Sequence, residues 1–341
     1  SLMFLDTSIN MAMQPFKMMV GDMVNEKQKG LAYSIQSFLC NAGSLVGYLF
    51  PFIFAWIGLS NTAPQGVIPD SVIYSFYIGA AILILCVIYT SVKVKEMPPA
   101  EYAEYHGITE EEEHEKTNML RLLIKAPKAF WTVGLVQFFC WFAFMFMWTY
   151  TNGSIAANVF DAPTVEHITN GISKIVLDTK SLQYQEAANW VGVLFAVQAI
   201  GSVIWAICIP MFKDRRFIYA LSLVLGGIGF ISTFFVHNQY VLFVSFLLIG
   251  CAWAAMLALP FTILTNALSG GHMGTYLGLF NGTICIPQIV AAALGGTILA
   301  QFTPKGMLPP EINMLVMAGV MLIIGAICVY LIKETKGERV D

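Results

Sequence analysis

Long apolar runs separated by short polar segments make up most of the sequence. Nine of these runs approach the roughly 20 apolar residues that an α-helix needs to cross a bilayer. They cover residues 2–24, 31–58, 72–92, 127–152, 187–211, 217–236, 240–266, 274–301 and 312–332. The pattern predicts an all-α membrane protein with nine transmembrane helices.

The first run differs from the others because it carries several charged residues. On a helix, Asn10 and Lys17 fall within about 40° of Asp6, whereas Asp22 points about 160° away from it. About 16 Å of helix separates Asp6 from Lys17, which is too far for an ion pair. Charges at membrane depth usually face a cavity, a partner or a ligand, so this stripe is a candidate solute-binding surface.

Basic residues sort unevenly between the two sets of connecting segments. One side receives 14 of the 18 Lys and Arg residues and the other receives three, with Lys17 left inside a span. Because short cytoplasmic loops collect positive charge, the C-terminus is predicted to be cytoplasmic.

The longest polar segment, residues 93–126, is then a cytoplasmic linker between three spans in residues 1–92 and six spans in residues 127–341. Large transporters are commonly built from two equivalent helical repeats. This asymmetry predicts helices 4 to 12 of a twelve-helix protein: half of an N-terminal bundle, the linker and a whole C-terminal six-helix bundle.

Composition narrows the function classes. Hydrophobic residues make up 57% of the chain, charged residues only 11%, and the mean hydropathy is +0.70, values that indicate a polytopic membrane protein. The net charge of −3 and the lack of a basic cluster argue against nucleic acid as a partner. The seven cysteines are scattered through apolar runs, so neither a disulfide nor a metal site is expected.

Motifs for catalysis are also lacking in the sequence. It contains no nucleophile elbow, zinc-protease helix, P-loop or complete dinucleotide-binding loop, and its five histidines lie in loops without ligand spacing. We therefore predict neither an enzyme nor a cofactor. The expected partners are the lipid bilayer and a small solute.

The fourth span places polar and aromatic residues on one face, at spacings of four, three, four and three: Gln137, Trp141, Phe144, Trp148 and Thr151. Aromatic rings stack on the apolar faces of sugars while amides bond their hydroxyls, so the stripe predicts a sugar site. Helix packing combined with an interfacial aromatic belt is the alternative interpretation, above all for Trp148 near the outer end.

The eighth span carries Asn281, Cys285 and Gln288 on one face, with Pro287 beside them. Proline frees a backbone carbonyl, so we expect a bend lined by side-chain amides. Small-residue ladders at Gly274, Gly278 and Gly282, and at Gly43 and Gly47, predict close helix packing. The turn at residues 210–216 combines Asp214 with Arg215 and other basic residues, which favours a positive-inside anchor and leaves a gating role open.

These residues together resemble a known family, the sucrose/proton symporters and their animal sugar-transporter relatives in the major facilitator superfamily. The first span has the family's order of Asp6, Asn10, Pro15, Lys17 and Asp22, and the second continues it with Gln36, Asn41, Gly43, Gly47 and Tyr48. In the second half the matching positions are Trp141, Phe144, the stretch from Trp253 to Pro260, Gly278, Asn281, Pro287 and Gln288.

The resemblance implies the major facilitator fold and an alternating-access carrier that imports a disaccharide or glucoside with a proton. It makes Asp6 the proton-coupling acid. We assign substrate binding to Asn10, Gln14, Lys17, Gln137, Trp141, Trp148, Asn281 and Gln288, and gating to Asp22, Asp214 and Arg215. A monomer in the plasma membrane is expected.

Three departures from the family keep other mechanisms open. The family's basic residue is usually Arg and here is Lys17, which lacks bidentate geometry. Trp148 and Tyr150 replace acidic residues expected toward the outer end of the fourth span, and the first three helices are absent. A sodium-coupled or facilitative sugar carrier is therefore the first alternative, and a channel or membrane-embedded enzyme is a remote one.

Overall fold

The computed structural model describes most of the chain from Glu26 onward. The described residues are 8, 11–13, 16, 19–20, 23–24, 26–60, 70–95, 98, 101, 119–169, 172–267, 273–304 and 306–332. Within them, eight helical segments are long and apolar enough to cross a membrane. They correspond to the second through ninth predicted spans, and the predicted helical membrane fold is confirmed.

The helices are numbered here along the chain. Their bounds are α1 Glu26–Trp56, α2 Asp70–Lys93, α3 Met119–Lys125, α4 Lys128–Asn158, α5 Leu182–Cys208, α6 Arg215–Ser232, α7 Leu242–Ala267, α8 Met273–Phe280, α9 Gly282–Phe302 and α10 Ile312–Val329. The eighth predicted span comprises both α8 and α9, because the helix is interrupted at Asn281. Helices prevail because a bilayer offers no water to satisfy backbone N–H and C=O groups.

The core lies among the helices that follow the linker. There α4 packs against α9 and α10, α5 packs against α7, and α6 packs against α7 and α10. In the first part of the chain, α1 contacts α2 and also α5 and α7, so it bridges the two parts. The cavity described below lies at this junction.

Long-range hydrogen bonds join helix ends that alternating spans would place on the same side. The Arg216 guanidinium at the start of α6 donates to the carbonyl of Ile332 beyond α10, at 3.4 Å. At the opposite end of the bundle, the Trp190 indole of α5 donates to the carbonyl of Gln239 between α6 and α7, at 3.2 Å. This end, where α5 and α10 begin, is called the outer end below, following the charge-based prediction.

Two helix starts are fixed by side chains that accept backbone hydrogen bonds. Ser181 caps α5 by accepting from the amide of Tyr184, and Asp214 caps α6 by accepting from the amides of Arg216 and Phe217. Such caps satisfy donors that a helix leaves free in its first turn.

The segment between α4 and α5 holds an element that we did not predict. Strands β1 Thr164–Thr169 and β2 Ile172–Leu177 pair as an antiparallel hairpin in which Thr169 lies opposite Ile172. The predicted spans 127–152 and 187–211 left this connection without a predicted element. A two-stranded sheet instead follows the outer end of α4.

Two sequence predictions about the spans have different outcomes. The first predicted span, residues 2–24, lies outside the described residues apart from scattered positions. The predicted glycine ladders make no close contact with another described helix, because no described atom lies within 4 Å of a Cβ placed on Gly43, Gly47 or Gly278, and one on Gly282 meets only Ile286 of its own helix. Close approaches are made by other glycines, on α4, α5, α6, α7, α9 and α10.

Candidate functional site

A cavity opens where α1 meets the helices that follow the linker. Its void totals about 300 Å³, part of which is open to solvent. It is lined by Asn41, Ser44 and Tyr48 of α1, Trp148 of α4, Gln198 and Ala199 of α5, and Trp253 of α7. All of these side chains are uncharged, so the described wall combines amides, hydroxyls and indoles.

The α1 wall of the cavity is a polar stripe on one helical face. Ser37, Asn41, Ser44 and Tyr48 follow one another at spacings of four, three and four residues. Asn41 is fully buried, and its Nδ2 donates to the carbonyl of Ser37 at 2.8 Å. Its Oδ1 has no hydrogen-bond partner among the described residues. The wall therefore holds a buried acceptor that is unpaired among the described residues.

Two indoles form an aromatic wall. Trp148 and Trp253 meet edge to face, with their ring centroids 5.7 Å apart. Behind them, Trp141 lies 5.8 Å and Phe144 4.9 Å from the ring of Trp253. Aromatic pairs of this kind add about 0.5–1.5 kcal/mol each beyond area burial. The cluster confirms that Trp141, Phe144 and Trp148 share one face of their span, and it holds the two cavity-facing rings in place.

Glycines bring α5 and α7 together beside the cavity. A Cβ on Gly250 of α7 would collide with the backbone oxygen of Gln198, and one on Gly201 of α5 would lie 2.6 Å from the carbonyl oxygen of Leu247. The two backbones touch because neither position has a side chain. This approach places Gln198 and Trp253, one from each helix, on the same cavity.

Gln137, a predicted substrate ligand, lies outside the cavity wall. It is fully buried, and its Nε2 donates to the carbonyl of Met256 on α7 at 3.2 Å. Met256 precedes Pro260 by four residues, and proline has no N–H with which to pair that carbonyl. Gln137 therefore supplies the hydrogen bond that Pro260 removes. Its Oε1 has no partner among the described residues, and substrate contact stays a prediction.

The other predicted substrate residues of the second half divide between two places. Trp148 lines the cavity and Trp141 supports it, with a buried Nε1 that has no partner among the described residues. Asn281 and Gln288 are half-buried and do not line the cavity. Asn281 lies at the junction of α8 and α9, where its Nδ2 is 3.7 Å from the sulfur of Cys285. A contact of either residue with substrate stays a prediction.

The predicted gating and coupling residues are only partly described. Asp214 is exposed and caps α6, and Arg215 is an exposed residue in the first turn of that helix. The capping bonds give Asp214 a structural role, and its gating role stays a prediction. The predicted residues of the first span lie outside the described residues: Asp6, Asn10, Gln14, Lys17 and Asp22.

Comparisons with known proteins place this architecture. The profile of the Major Facilitator Superfamily matches residues 8–173 and 155–341, which together span nearly the whole chain. The chain belongs to the major facilitator superfamily. Membership makes it a multi-pass membrane transporter rather than an enzyme, and both of those predictions are confirmed.

A solved structure shares the fold of this transporter. A point variant of the E. coli fucose:proton symporter FucP matches with a TM-score of 0.59 and 14% sequence identity, over 93% of this chain and 72% of that one. No curated protein matched the sequence. At this level of identity the likeness concerns the fold, and the solute must be argued from the cavity itself.

Sequence reasoning missed part of the cavity wall of the transporter. Asn41, Tyr48 and Trp253 entered only as points of family resemblance, and Ser44 and Gln198 did not enter at all. A usable signal was present, because the α1 stripe has the same helical spacing as the stripe recognised in the fourth span. It was overlooked because its residues are uncharged, and serine is common in packed membrane helices.

Proposed function

We propose that this transporter imports a neutral sugar, a disaccharide or glucoside, together with protons, by alternating access. The observation that supports it most is the chemistry of the described wall, which joins two amides, two hydroxyls and two indoles without a charged side chain. Sugars present hydroxyls to amides and apolar C–H faces to aromatic rings. Within the described wall there is no charged side chain to pair with a charged solute.

Unpaired polar atoms near the cavity support a hydroxyl-rich ligand. Asn41 Oδ1 is a buried acceptor, Trp141 Nε1 a buried donor and Ser202 Oγ a buried hydroxyl, each without a hydrogen-bond partner among the described residues. Buried polar groups in native proteins nearly always find a partner, in protein, water or ligand. Sugar hydroxyls both donate and accept, so they suit a wall with both kinds of free atom.

The coupling mechanism rests on the first span and on the family resemblance. Asp6 is the proposed proton acceptor, because partial dehydration in a cavity disfavours the charged form of a carboxyl group. Asn10, Gln14 and Lys17 are the proposed ligands on the same span. The fucose:proton symporter FucP, whose fold this chain shares, is a precedent for proton coupling in the fold.

The proposal also covers the number of helices and the side of the membrane on which the linker and the C-terminus lie. The chain corresponds to helices 4 to 12 of a twelve-helix monomer in the plasma membrane, with residues 93–126 and the C-terminus on the cytoplasmic side. Asp22, Asp214 and Arg215 serve its cytoplasmic gate.

Uptake into liposomes tests the proposal. Full-length protein is reconstituted, and entry of radiolabelled sucrose and maltose is followed with and without an inward proton gradient. We expect saturable uptake that the gradient accelerates, that a protonophore slows, and that is unchanged when choline replaces sodium. Asp6→Asn should abolish the acceleration by the proton gradient.

A matched control is Asp161→Asn, an exposed residue after α4 whose φ of 48° asparagine also tolerates. Its uptake should remain gradient-driven. Acceleration by sodium alone would replace proton coupling with sodium coupling, and saturable uptake indifferent to both gradients would indicate facilitated diffusion. Absence of saturable uptake of either sugar would contradict the substrate class.

A further inference from the structure

A glutamate at the outer end of the transporter lies in a notch made by a glycine. Glu311 immediately precedes α10, and its carboxyl group rests on the Cα of Gly153 in the last turns of α4. A Cβ at position 153 would collide with the carboxyl carbon and both of its oxygens. Gly153 is thus the feature of α4 that admits the carboxyl group between the two helices.

The notch gives the carboxyl group little compensation for a charge. Glu311 makes no side-chain capping bond to α10, although it precedes the first turn of that helix. Burial raises its pKa from 4.5 to about 7, and burial is the only cause of that rise. No described charged group therefore stabilises its ionised form.

The titratable groups on the helices around the notch likewise do not stabilise the ionised form of Glu311. Among the described residues, only the phenol of Tyr150, one turn before Gly153, interacts electrostatically with Glu311. Tyr150 also touches α9, since its hydroxyl lies where a Cβ on Gly295 would be. The other titratable residues on the helices that meet here are Lys128 and Cys140 on α4, Cys285 on α9 and Cys328 on α10. Lys305, in the segment before α10, lies outside the described residues.

We propose that Glu311 is a proton-binding site that holds the outer ends of α4 and α10 together when protonated and releases them when ionised. A neutral carboxyl group can remain in the notch, whereas a carboxylate gains by moving to water. Glu311, which directly precedes α10, places an acidic side chain beside the part of α4 that carries Trp148 and Tyr150. Its role in transport rests on the proposed proton coupling, but proton binding at Glu311 does not.

The direction of the pH effect follows from the raised pKa. The closed state binds the proton more tightly than a state in which the carboxyl group is exposed to water. The contact is therefore favoured at low pH, weakens as the pH rises from 4.5 to about 7, and stays weakened above that pH. In neutral to alkaline medium the ionised carboxyl group of Glu311 is therefore expected to leave the notch, and the outer ends of α4 and α10 are expected to separate.

Infrared difference spectroscopy of the full-length protein in lipid nanodiscs tests proton occupancy directly. The carbonyl band of protonated carboxyl groups should contain a component that titrates with a midpoint near 7 in the wild type, and that component should be missing in Glu311→Gln. Gly153→Ala should displace the carboxyl group toward water and lower the midpoint by at least about one pH unit. Glu186→Gln, which removes an exposed glutamate at the outer end of α5, is the matched control and should keep the band.

Hydrogen exchange tests the contact. After correction for intrinsic rates, the backbone amides of residues 312–315 should exchange faster above pH 7 in the wild type and show no pH dependence in Glu311→Gln. A band unaffected by Glu311→Gln, or the same exchange profile in both proteins, would overturn the proposal. Since neither readout uses a sugar, failure of the proposed sugar transport would appear separately, in the uptake assay.

Discussion

Helices α2 and α7 have the same mean hydropathy, 2.4, yet they differ in how far they pack against the other described helices. In α7, 67% of the most apolar window is buried among the described residues, whereas in α2 the share is 6%. Apolar character therefore identifies a membrane span and does not reveal whether its surroundings are other helices. Among the described residues α7 packs against α1, α4, α5 and α6, whereas α2 packs mainly against α1, and most of the first predicted span lies outside the described residues.

Small residues account for the close packing of α7. Gly250 touches the backbone of α5, and Ala252 packs where a Cβ on Gly226 of α6 would lie. In α2, no described atom lies within 4 Å of a Cβ on Gly79, and large side chains such as Ile84 and Leu85 are exposed. Lipid tails are as apolar as leucine, so helices associate where small residues allow the backbones to approach.

The largest effect is expected from filling the glycine contact in α7. Gly250→Ala places a methyl group against the backbone oxygen of Gln198, and overpacking of this kind destabilises by about 1–3 kcal/mol. The midpoint of thermal unfolding in detergent should fall by several degrees, and sugar uptake should fall with it. Gly79→Ala in α2 meets no described atom and should leave both unchanged. Equal effects of the two substitutions would show that the comparison is wrong.

The hydrogen bond from Gln137 gives the next largest effect. Gln137→Leu leaves the carbonyl of Met256 without the donor that replaces the missing N–H of Pro260, and an unpaired buried group costs about 1–3 kcal/mol. Thermal unfolding of the variant should show this loss. The double variant Gln137→Leu/Pro260→Ala restores a backbone N–H and should recover most of it. Destabilisation that persists in the double variant would contradict the structural role of Gln137.

A smaller effect is expected from the aromatic wall. Trp253→Leu removes the ring contacts to Trp141, Phe144 and Trp148, so the KM for sugar uptake should rise about tenfold, equivalent to about 1.4 kcal/mol. Trp56→Leu, at the exposed end of α1, is the control and should leave KM unchanged. A KM that responds to both substitutions alike would indicate a general disturbance rather than a site.

The smallest effect compares two serines with the same local bond. Ser44 on α1 and Ser75 on α2 each donate to the carbonyl four residues earlier, at 3.0 and 2.6 Å, but only Ser44 lines the cavity. Ser44→Ala should weaken sugar uptake by a few-fold, the value of one hydrogen bond of about 1 kcal/mol. Ser75→Ala should have no effect on uptake. A larger loss of uptake in Ser75→Ala than in Ser44→Ala would indicate that the sugar does not bind in the described cavity.

Sequence patterns predicted the fold well because a membrane span has one dominant requirement, a long apolar run. The eight described spans and the shared face of Trp141 and Trp148 follow from hydropathy and helical spacing. These features depend on residues close in sequence, so local patterns suffice for them. The helix is interrupted at Asn281, whereas the bend was expected beside Pro287, through which α9 continues.

Features that depend on contacts between distant residues were harder to predict. The bond from Gln137 to Met256 joins residues 119 positions apart, and only the fold shows that Pro260 requires it. The notch formed by Gly153 and Glu311 is a pairing of the same kind. The hairpin was different, since Asn170 and Gly171 between β-branched residues are a typical two-residue turn signal that we did not use.

The central claim is that the uncharged cavity between α1 and α4, α5 and α7 binds the sugar, and equilibrium binding tests it most directly. Asn41 and Asn158 each donate to the carbonyl four residues earlier, at 2.8 and 3.0 Å, but only Asn41 lines the cavity. Binding of radiolabelled maltose and sucrose to purified wild-type protein should be saturable. We expect Asn41→Leu to weaken that binding at least about tenfold and Asn158→Leu to leave it unchanged. Wild-type affinity in Asn41→Leu would contradict the account.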